Sequence, residues 1–329
     1  MITGSAVRFG CGPVDVELTC ESDRIRGKLA DTLGLYNVPW PDPRTPLQLD
    51  INEAGEISEL GPGRYLSCAR MNVDNSTEGD GALSATFRSG AVATGNPESG
   101  CWTTTIPRDA DDFWTLMDLE SLASLVLAEA WRNAGWIPVH AGTVVRAGTC
   151  ALLCAGSGGG KTTLTAALIR RGWQTLGDDK LLLRLREDGT PELRALVHTF
   201  NLHPRSGSWF PEVGNIEQLP VYSEWTEKRK VHPDDVWSGA TLTEATPTHL
   251  LGLTRNESGK PIGIEPMSAG EVLSTLLHQT VVPGDRVKAR QILGVIAATA
   301  KALSGLRVDL GDDVYASQGY LAVIEEALA

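Results

Sequence analysis

The sequence has no long hydrophobic run, no zinc-type cysteine pattern and no excess of positive charge. No apolar stretch approaches the ~18 residues that are needed to span a bilayer. The first residues lack the basic start and the long apolar run of a secretory leader, so the sequence predicts a cytoplasmic protein without a membrane partner. The net charge of −12 disfavours broad contact with nucleic acid or with an anionic membrane.

The six cysteines form neither a CxxC pair nor a cluster with histidine at zinc spacing. We interpret them as free thiols in a reducing compartment. Cys150 and Cys154 flank an apolar strand pattern, which predicts that both are core residues.

A length of 329 residues suggests two domains or one large domain. Residues 1–110 are rich in Gly, Pro and Thr between short apolar stretches, which predicts a smaller β-rich or α+β N-terminal domain. The predicted strands in this part read DVELTC, LQLDI, RYLSCARM and SATFRSGAVAT.

Residues 111–329 have an α/β pattern. Leucine and alanine recur at helical spacing between residues 116 and 130, so we expect a helix that joins the two parts and stops at Gly135. WIPVHAGTVVRAG reads as paired strands with Gly148 at a turn, and residues 190–250 are rich in loops and proline. The other predicted strands are CALLC, WQTLG, KLLLRLRE, THLLGLTRN and LRVDLG, and the other predicted helices are 161–171, SAGEVLSTLLHQT, DRVKARQILGVIAATAKALSG and QGYLAVIEEALA.

A glycine-rich loop, AGSGGGKT, connects CALLC to the helix that begins near Lys161. It matches the Walker A pattern G-x-x-x-x-G-K-[ST], with Ala155 in place of the first glycine. Glycines let successive N–H groups turn towards phosphate oxygens, and the helix adds its positive N-terminal end. Lys161 would reach the β- and γ-phosphates of ATP or another nucleotide donor, and the Thr162 hydroxyl would bind Mg²⁺. The predicted nucleotide-binding residues are Gly156, Ser157, Gly158, Gly159, Gly160, Lys161, Thr162 and Thr163.

Two aspartates, Asp178 and Asp179, follow the short predicted strand WQTLG. A helix of about three turns, a stop at Gly172 and this strand predict a compact βαβ crossover, which would return the aspartates to the edge of the sheet beside the loop. One carboxylate would organise Mg²⁺ through water, and the other would accept a proton from an attacking hydroxyl. The later strand THLLGLTRN has Arg255 where an acidic residue would be needed.

Three further residues are weaker candidates. A lone histidine is more often structural, but the imidazole of His140 would face the phosphates or the aspartates if its strand lies beside CALLC. The basic run at residues 228–230 is either a solvated surface or a source of phosphate contacts, for which Lys228 and Arg229 are the candidates.

The order HAG, phosphate loop, helix ending in RRGW, and GDD resembles the catalytic domain of the HPr serine kinase/phosphorylase family, a relative of ATP-dependent phosphoenolpyruvate carboxykinase. The resemblance covers roughly residues 137–186, with weaker similarity at EKRKV and IEPMSAGEVLSTLL. It implies an α/β P-loop kinase domain of the HPr-kinase/carboxykinase type.

The resemblance also implies roles for the site residues. Asp178 would be the catalytic base and Asp179 the acid on the metal side, although the two roles are open to exchange. Lys161 and Thr162 would bind the phosphates and Mg²⁺, and His140 would support the centre.

The chain departs from that family in two respects. It has no counterpart of the Glu-Ile-Arg-Gly stretch of HPr kinases, and its first 110 residues do not resemble their N-terminal domain. We therefore expect a divergent phosphotransferase whose acceptor is a hydroxyl of a peptide, a protein or a small molecule rather than HPr itself. Relatives of this kind include enzymes that phosphorylate hydroxyls on peptide natural-product precursors.

Two alternatives remain. A carboxykinase-type lyase would need a dedicated carboxylate-binding arginine and a metal-binding lysine. A non-catalytic nucleotide-binding regulator would need no base. The sequence leaves the acceptor, the donor nucleotide and the oligomeric state open, a homo-oligomer included.

Overall fold

The computed structural model describes residues 6–54, 64–65, 71–74, 83–222, 226–256, 262–283, 285–311 and 318–329. The chain forms two compact units, which are residues 1–137 with 284–286, and residues 138–283 with 287–329. The sequence-based division at residue 110 lies before the long helix at Asp112–Asn133, whereas this helix belongs to the first unit. Among the described helices, none combines the length and the apolar character that crossing a membrane requires.

The described residues of the first unit form an eight-stranded sheet and two helices. The alternating sequence VDVELTC forms a strand whose Val14, Val16, Leu18 and Cys20 are buried, as the two-residue period of a strand predicts. The strands are β1 Val7–Cys11, β2 Val14–Cys20, β3 Thr45–Ala54, β4 Arg64–Tyr65, β5 Met71–Asp74, β6 Leu83–Phe87, β7 Val92–Asn96 and β8 Cys101–Pro107, and the helices are α1 Asp23–Gly34 and α2 Asp112–Asn133.

The strand order of this sheet is β1-β2-β3-β8-β7-β6-β5-β4. Strands β2, β3 and β8 run parallel to one another, and the remaining neighbours are antiparallel. Helix α2 ends where the sequence predicts, because Gly135 follows it with a φ of 80°. Most of the predicted strand RYLSCARM lies outside the described residues, and α1 was not predicted.

The second unit contains the predicted phosphate loop, and its described residues form three sheets. Its β-strands are β9 Ile137–Val139, β10 Gly142–Arg146, β11 Thr149–Cys154, β12 Leu181–Leu185, β13 Pro191–Ala195, β14 Phe200–Leu202, β15 Arg229–Val231, β16 Glu244–Ala245, β17 His249–Arg255, β18 Gly263–Pro266 and β19 Ser304–Leu310. The helices are α3 Lys161–Ile169, α4 Pro233–Val236, α5 Ala269–His278, α6 Arg286–Ala302 and α7 Gln318–Ala327, with 3₁₀ turns at Pro204–Ser208, Pro211–Val213 and Ile216–Gln218.

A five-stranded sheet in the order β10-β11-β17-β19-β18 carries the phosphate loop. Strands β11, β17 and β19 are parallel, whereas β10 and β18 are antiparallel to their neighbours. The apolar strand CALLC forms the buried centre of β11, as its composition predicts. Ligands of such sheets bind beyond the carboxyl ends of the parallel strands.

The predicted βαβ crossover after α3 is wrong. Residues 173–177 do not form a strand beside β11; they lie along the outer edge of β10, joined to it by an isolated antiparallel bridge between Val145 and Gln174. The parallel neighbour of β11 is β17, much later in the chain. The next strand, β12, belongs to a different sheet with β9, β13 and β16.

Helices cover both faces of the five-stranded sheet. On one face, Ala151, Leu153, Leu251 and Leu253 join a buried cluster with residues of α3 and α7. On the other face, an added Cβ at Gly305 would lie 2.2 Å from Val272 of α5. Helix α5 therefore packs on the opposite face of the sheet from α3.

Candidate active site

The phosphate loop spans residues 155–160, from the end of β11 to the start of α3. Gly158 and Gly160 have φ values of 75° and 93°, a region that favours glycine. The N–H of Gly159 donates to the Gly156 carbonyl at 3.1 Å. Because α3 begins at Lys161, its first N–H groups and its positive end lie at the loop, as in an anion site.

Lys161 is buried at the first position of α3, with 8% of its surface exposed. Its ammonium donates to the Ala155 carbonyl at 2.9 Å and to Nε2 of His140 at 3.0 Å. Burial lowers the pKa of Lys161, and the negative charge of Asp179 opposes this effect. An ammonium carries three donor protons, so one remains for a phosphate oxygen.

His140 connects Lys161 to the second aspartate. Its Nδ1 lies 3.0 Å from the Asp179 carbonyl oxygen and 3.1 Å from Asp179 Oδ1. Since Nε2 accepts from Lys161, the proton of the neutral imidazole must be on Nδ1, which then donates to Asp179. The result is a hydrogen-bonded chain from Lys161 through His140 to Asp179.

Asp178 has a different environment. It is 2% exposed, and its Oδ1 has no hydrogen-bond partner among the described residues. Burial raises the pKa of Asp178, and the charge of Asp179 raises it further, whereas the hydrogen bond with the Thr162 side chain and the charge of Lys228 lower it; the balance is about 7. A carboxylate with a pKa near 7 suits a general base at neutral pH.

Asp179 is only half-buried, and its pKa is lowered, whereas that of Asp178 is raised. Burial alone would raise its pKa, but the hydrogen bond from His140 and the charges of Lys180 and Lys161 lower the pKa to about 2. The pKa values of two adjacent carboxyl groups thus differ widely: Asp178 titrates near neutral pH, whereas Asp179 is fully ionised there. Environments of this kind separate the acid and base roles of paired carboxylates in enzymes.

Threonine side chains hold the segment before the aspartates against β10. The Thr143 hydroxyl accepts from the Leu176 N–H at 2.8 Å, and the Thr143 N–H donates to the Gly177 carbonyl at 2.9 Å. The Thr175 hydroxyl donates to the Thr143 carbonyl at 2.7 Å. The sequence analysis missed these positioning residues, because buried threonines have no motif that distinguishes them from strand residues.

Gly177 completes this turn with a φ of 148°. A Cβ at this position would lie 2.5 Å from the Val197 carbonyl oxygen, so no other residue fits there without displacing the backbone. Glycine immediately before the aspartate pair was the one sequence signal for this geometry.

The remaining candidates are distributed around the loop. Gly156, Ser157 and Gly158 are exposed, and Thr162 and Thr163 are half-buried. Lys228 is close enough for its charge to oppose the effect of burial on the pKa of Asp178 and to add to the effect of burial on the pKa of Lys161. Arg229 lies in β15 opposite Leu202, and its buried Nε has no hydrogen-bond partner among the described residues.

The oxygen atoms beside the loop suit Mg²⁺. The Thr162 hydroxyl and the ionised carboxylate of Asp179 are hard oxygen donors, and the hydrogen bond between Thr162 and Asp178 places both aspartates beside that hydroxyl. No group of three or more His, Cys, Asp and Glu side chains with the arrangement of a metal site occurs within the described residues. Mg²⁺ needs no such cage, since it usually binds one or two carboxylates together with waters and substrate phosphates.

Comparisons with known proteins identify no family. No family model matches the chain, and no curated protein matches it. Among solved structures, the chain is similar to the HPr(Ser) kinase/phosphatase from Coxiella burnetii, with 11% identity and a TM-score of 0.32 over 58% of this chain and 96% of that one. A similarity at this level carries no argument about function.

Proposed function

We propose that the chain is a Mg²⁺-nucleotide-dependent phosphotransferase that transfers a terminal phosphoryl group to a hydroxyl of a peptide, a protein or a small molecule. The observation that carries the proposal is the buried Asp178, which has a pKa of about 7 and an unpartnered Oδ1 and lies beside Thr162, where the phosphate loop ends and α3 begins. A loop that only binds nucleotide has no need of a proton acceptor in this position.

The proposed step is an in-line displacement at the terminal phosphorus. The acceptor oxygen forms the new bond to phosphorus, the bond to the bridging oxygen breaks, and the shortened nucleotide leaves with that electron pair. The acceptor proton passes to Oδ1 of Asp178. Lys161 donates a hydrogen bond from its third N–H to a phosphate oxygen, while His140 and Asp179 keep the ammonium in place.

Thr162 and Asp179 are the proposed Mg²⁺ ligands. When bound, the ion would neutralise charge on the phosphate oxygens. A pKa of about 2 keeps Asp179 ionised at neutral pH, which suits a metal ligand better than a base. The difference between the two aspartates therefore favours Asp178 as the base over the exchanged assignment.

The test is transfer of labelled terminal phosphate from ATP or GTP to a panel of serine, threonine and tyrosine peptides and small polyols. Asp178→Asn keeps the shape of the side chain and removes its basicity, so transfer should fall by roughly 10²–10⁴-fold while nucleotide affinity stays within a few-fold. Asp179→Asn should instead change the Mg²⁺ dependence. Asp188→Asn is the matched control, because Asp188 is an exposed aspartate in the turn between β12 and β13.

Undiminished transfer by both Asp178→Asn and Asp179→Asn would overturn the mechanism. Nucleotide binding by the wild type without any labelled product would favour the non-catalytic regulator. Lys161→Ala should weaken nucleotide binding in either case, and equal affinities of this variant and the wild type would overturn the phosphate loop itself.

A further inference from the structure

A cleft adjoins the phosphate loop on the face of the five-stranded sheet that packs against α5. Its volume is about 310 Å³, which is at the lower limit of small-molecule pockets, about 300–1,000 Å³. Cys154, Ala155 and Gly156 form the side of the cleft next to the loop. Residues of β17, α5 and β19 form the rest, together with Met267 before α5 and Gln279 after it.

The strand register creates the base of this cleft. Cys154 is the partner of Gly252 in β17, and Gly252 is the partner of Arg307 in β19, so the three residues form one row across the sheet. A Cβ at Gly252 would lie 3.3 Å from the Met267 sulfur, which borders the same cleft. A larger side chain at Gly252 would therefore occupy the cleft.

Helix α5 supplies a polar wall. Glu271, Ser274, Thr275 and His278 all line the cleft, at the spacing i, i+3, i+4 and i+7 that places residues on one helix face. Two buried residues of α5, Val272 and Leu276, anchor the helix. The polar face is thus turned towards the cleft while the apolar face fixes the helix.

The charged side chains of the cleft are already paired. Arg307 binds the Glu271 carboxylate, and its other terminal nitrogen lies 3.8 Å from Glu265. Glu271 also accepts from the Ser268 N–H at 2.8 Å in a capping box that fixes the start of α5. A cleft with compensated charges suits a neutral polar ligand better than a phosphate or a carboxylate.

The cleft and the aspartate pair flank the loop on opposite sides. The aspartates follow the segment at the outer edge of β10, whereas the cleft lies over β17 and β19, and β11 with its loop is between them. A terminal phosphate directed towards Asp178 would leave the other end of the nucleotide directed towards the cleft. We propose, on the basis of the proposed function, that this cleft binds the nucleoside of the phosphate donor.

The lining has the chemistry that a nucleoside requires. The guanidinium of Arg307, the imidazole of His278 and the thioether of Met267 offer surfaces for a planar base. Nδ1 of His278 is held by the Ser274 carbonyl at 2.6 Å, which fixes the ring on the helix. Thr275 and Gln279 add hydroxyl and amide groups for the ribose or the base edge.

The experiment compares the binding of ATP, GTP and inorganic tripolyphosphate, each with Mg²⁺, by calorimetry. Tripolyphosphate has the same phosphates without a nucleoside, so it isolates the contribution of the cleft. Thr275→Leu narrows the cleft from its wall and Gly252→Val from its base, and Gly270→Ala is the control on the exposed side of α5. Hydrogen exchange of residues 271–279 in the wild type gives a readout without any substitution.

We expect the wild type to bind ATP or GTP at least about tenfold more tightly than tripolyphosphate, and Thr275→Leu or Gly252→Val to remove most of that difference. The nucleotide, but not tripolyphosphate, should slow exchange in α5. Equal affinity of the wild type for all three ligands, or exchange in α5 that responds equally to all three, would overturn the nucleoside site and leave the phosphate loop intact. Failure of the wild type to bind any of the three would contradict the proposed function itself.

Discussion

The replacement Asp178→Asn should make the protein more stable at neutral pH, although it removes the proposed catalytic base. The pKa of Asp178 rises in the fold from its ordinary value of 3.8 to about 7, because burial and the neighbouring Asp179 disfavour its charge. At pH values between these two pKa values, Asp178 is protonated in the folded state and ionised in the unfolded state. Stability therefore falls as the pH rises through this window, and the loss is complete above about pH 7.

The size of this stability difference follows from the same pKa difference. At about 1.4 kcal/mol per pKa unit, the difference between 3.8 and about 7 corresponds to about 4 kcal/mol of unfolding free energy. Asparagine has the shape of the protonated acid and never ionises. Asp178→Asn should thus match the wild type near pH 4 and exceed its stability by up to about 4 kcal/mol near pH 8.

Urea unfolding of both proteins at several pH values measures this difference. Asp179→Asn is an internal control with the opposite sign, because the pKa of Asp179 is lowered to about 2. Its ionised form stabilises the fold above about pH 4, and that contribution is lost as the pH falls towards 2. If Asp178→Asn gains no stability over the wild type between pH 4 and pH 8, the carboxyl group is not held in the environment described here.

Three further predictions follow from the geometry. The kcat/KM of the wild type should rise with pH through about 7, because Asp178 must be ionised to accept a proton; a profile that is flat across neutral pH would contradict this role. Lys228→Ala should lower turnover and move that rise to higher pH, because the charge of Lys228 lowers the pKa of Asp178 against the larger effect of burial, whereas Lys230→Ala should change neither. Glu325→Gln should cost about 2 kcal/mol in urea unfolding, because Glu325 accepts hydrogen bonds from Arg146, Arg171 and Trp173, and the exposed Glu326→Gln should be close to neutral.

The hydrophobic pattern was sufficient for elements whose apolar residues follow a regular period or form a continuous buried run. The alternating residues of β2, the buried run of β11 and the helical spacing of α2 all appear in the structure where the sequence predicts them. Helix α1 was missed because charged residues interrupt its apolar positions within a stretch that is otherwise rich in strands. Its stability depends on packing against α2, which a local pattern does not contain.

The segment WQTLG shows how side chains can replace the backbone pairing that a pattern predicts. The N–H of Leu176 is satisfied by the Thr143 hydroxyl, and the N–H of Gly177 by the Thr175 hydroxyl at 3.0 Å. These bonds take the place of a strand ladder. The aspartates still reach the phosphate loop, but from the edge of β10 rather than from a parallel neighbour of β11.

The sequence alone leaves the roles of the two aspartates exchangeable, because Asp178 and Asp179 are adjacent and chemically identical. The two carboxyl groups differ because their side chains point in different directions. Asp179 points towards the His140–Lys161 chain and is ionised by it, whereas Asp178 points into the protein beside Thr162 and has one oxygen without a partner. Lys161 thus has two effects on the site: it can donate a hydrogen bond to a phosphate oxygen, and its charge, together with the hydrogen bond from His140, lowers the pKa of Asp179. The same contacts predict that His140→Ala would deprive the Lys161 ammonium of one of its two hydrogen-bond partners and weaken nucleotide binding, because the ammonium would no longer be fixed at the phosphate loop. A histidine that only fills space would leave the nucleotide affinity, measured by calorimetry, unchanged.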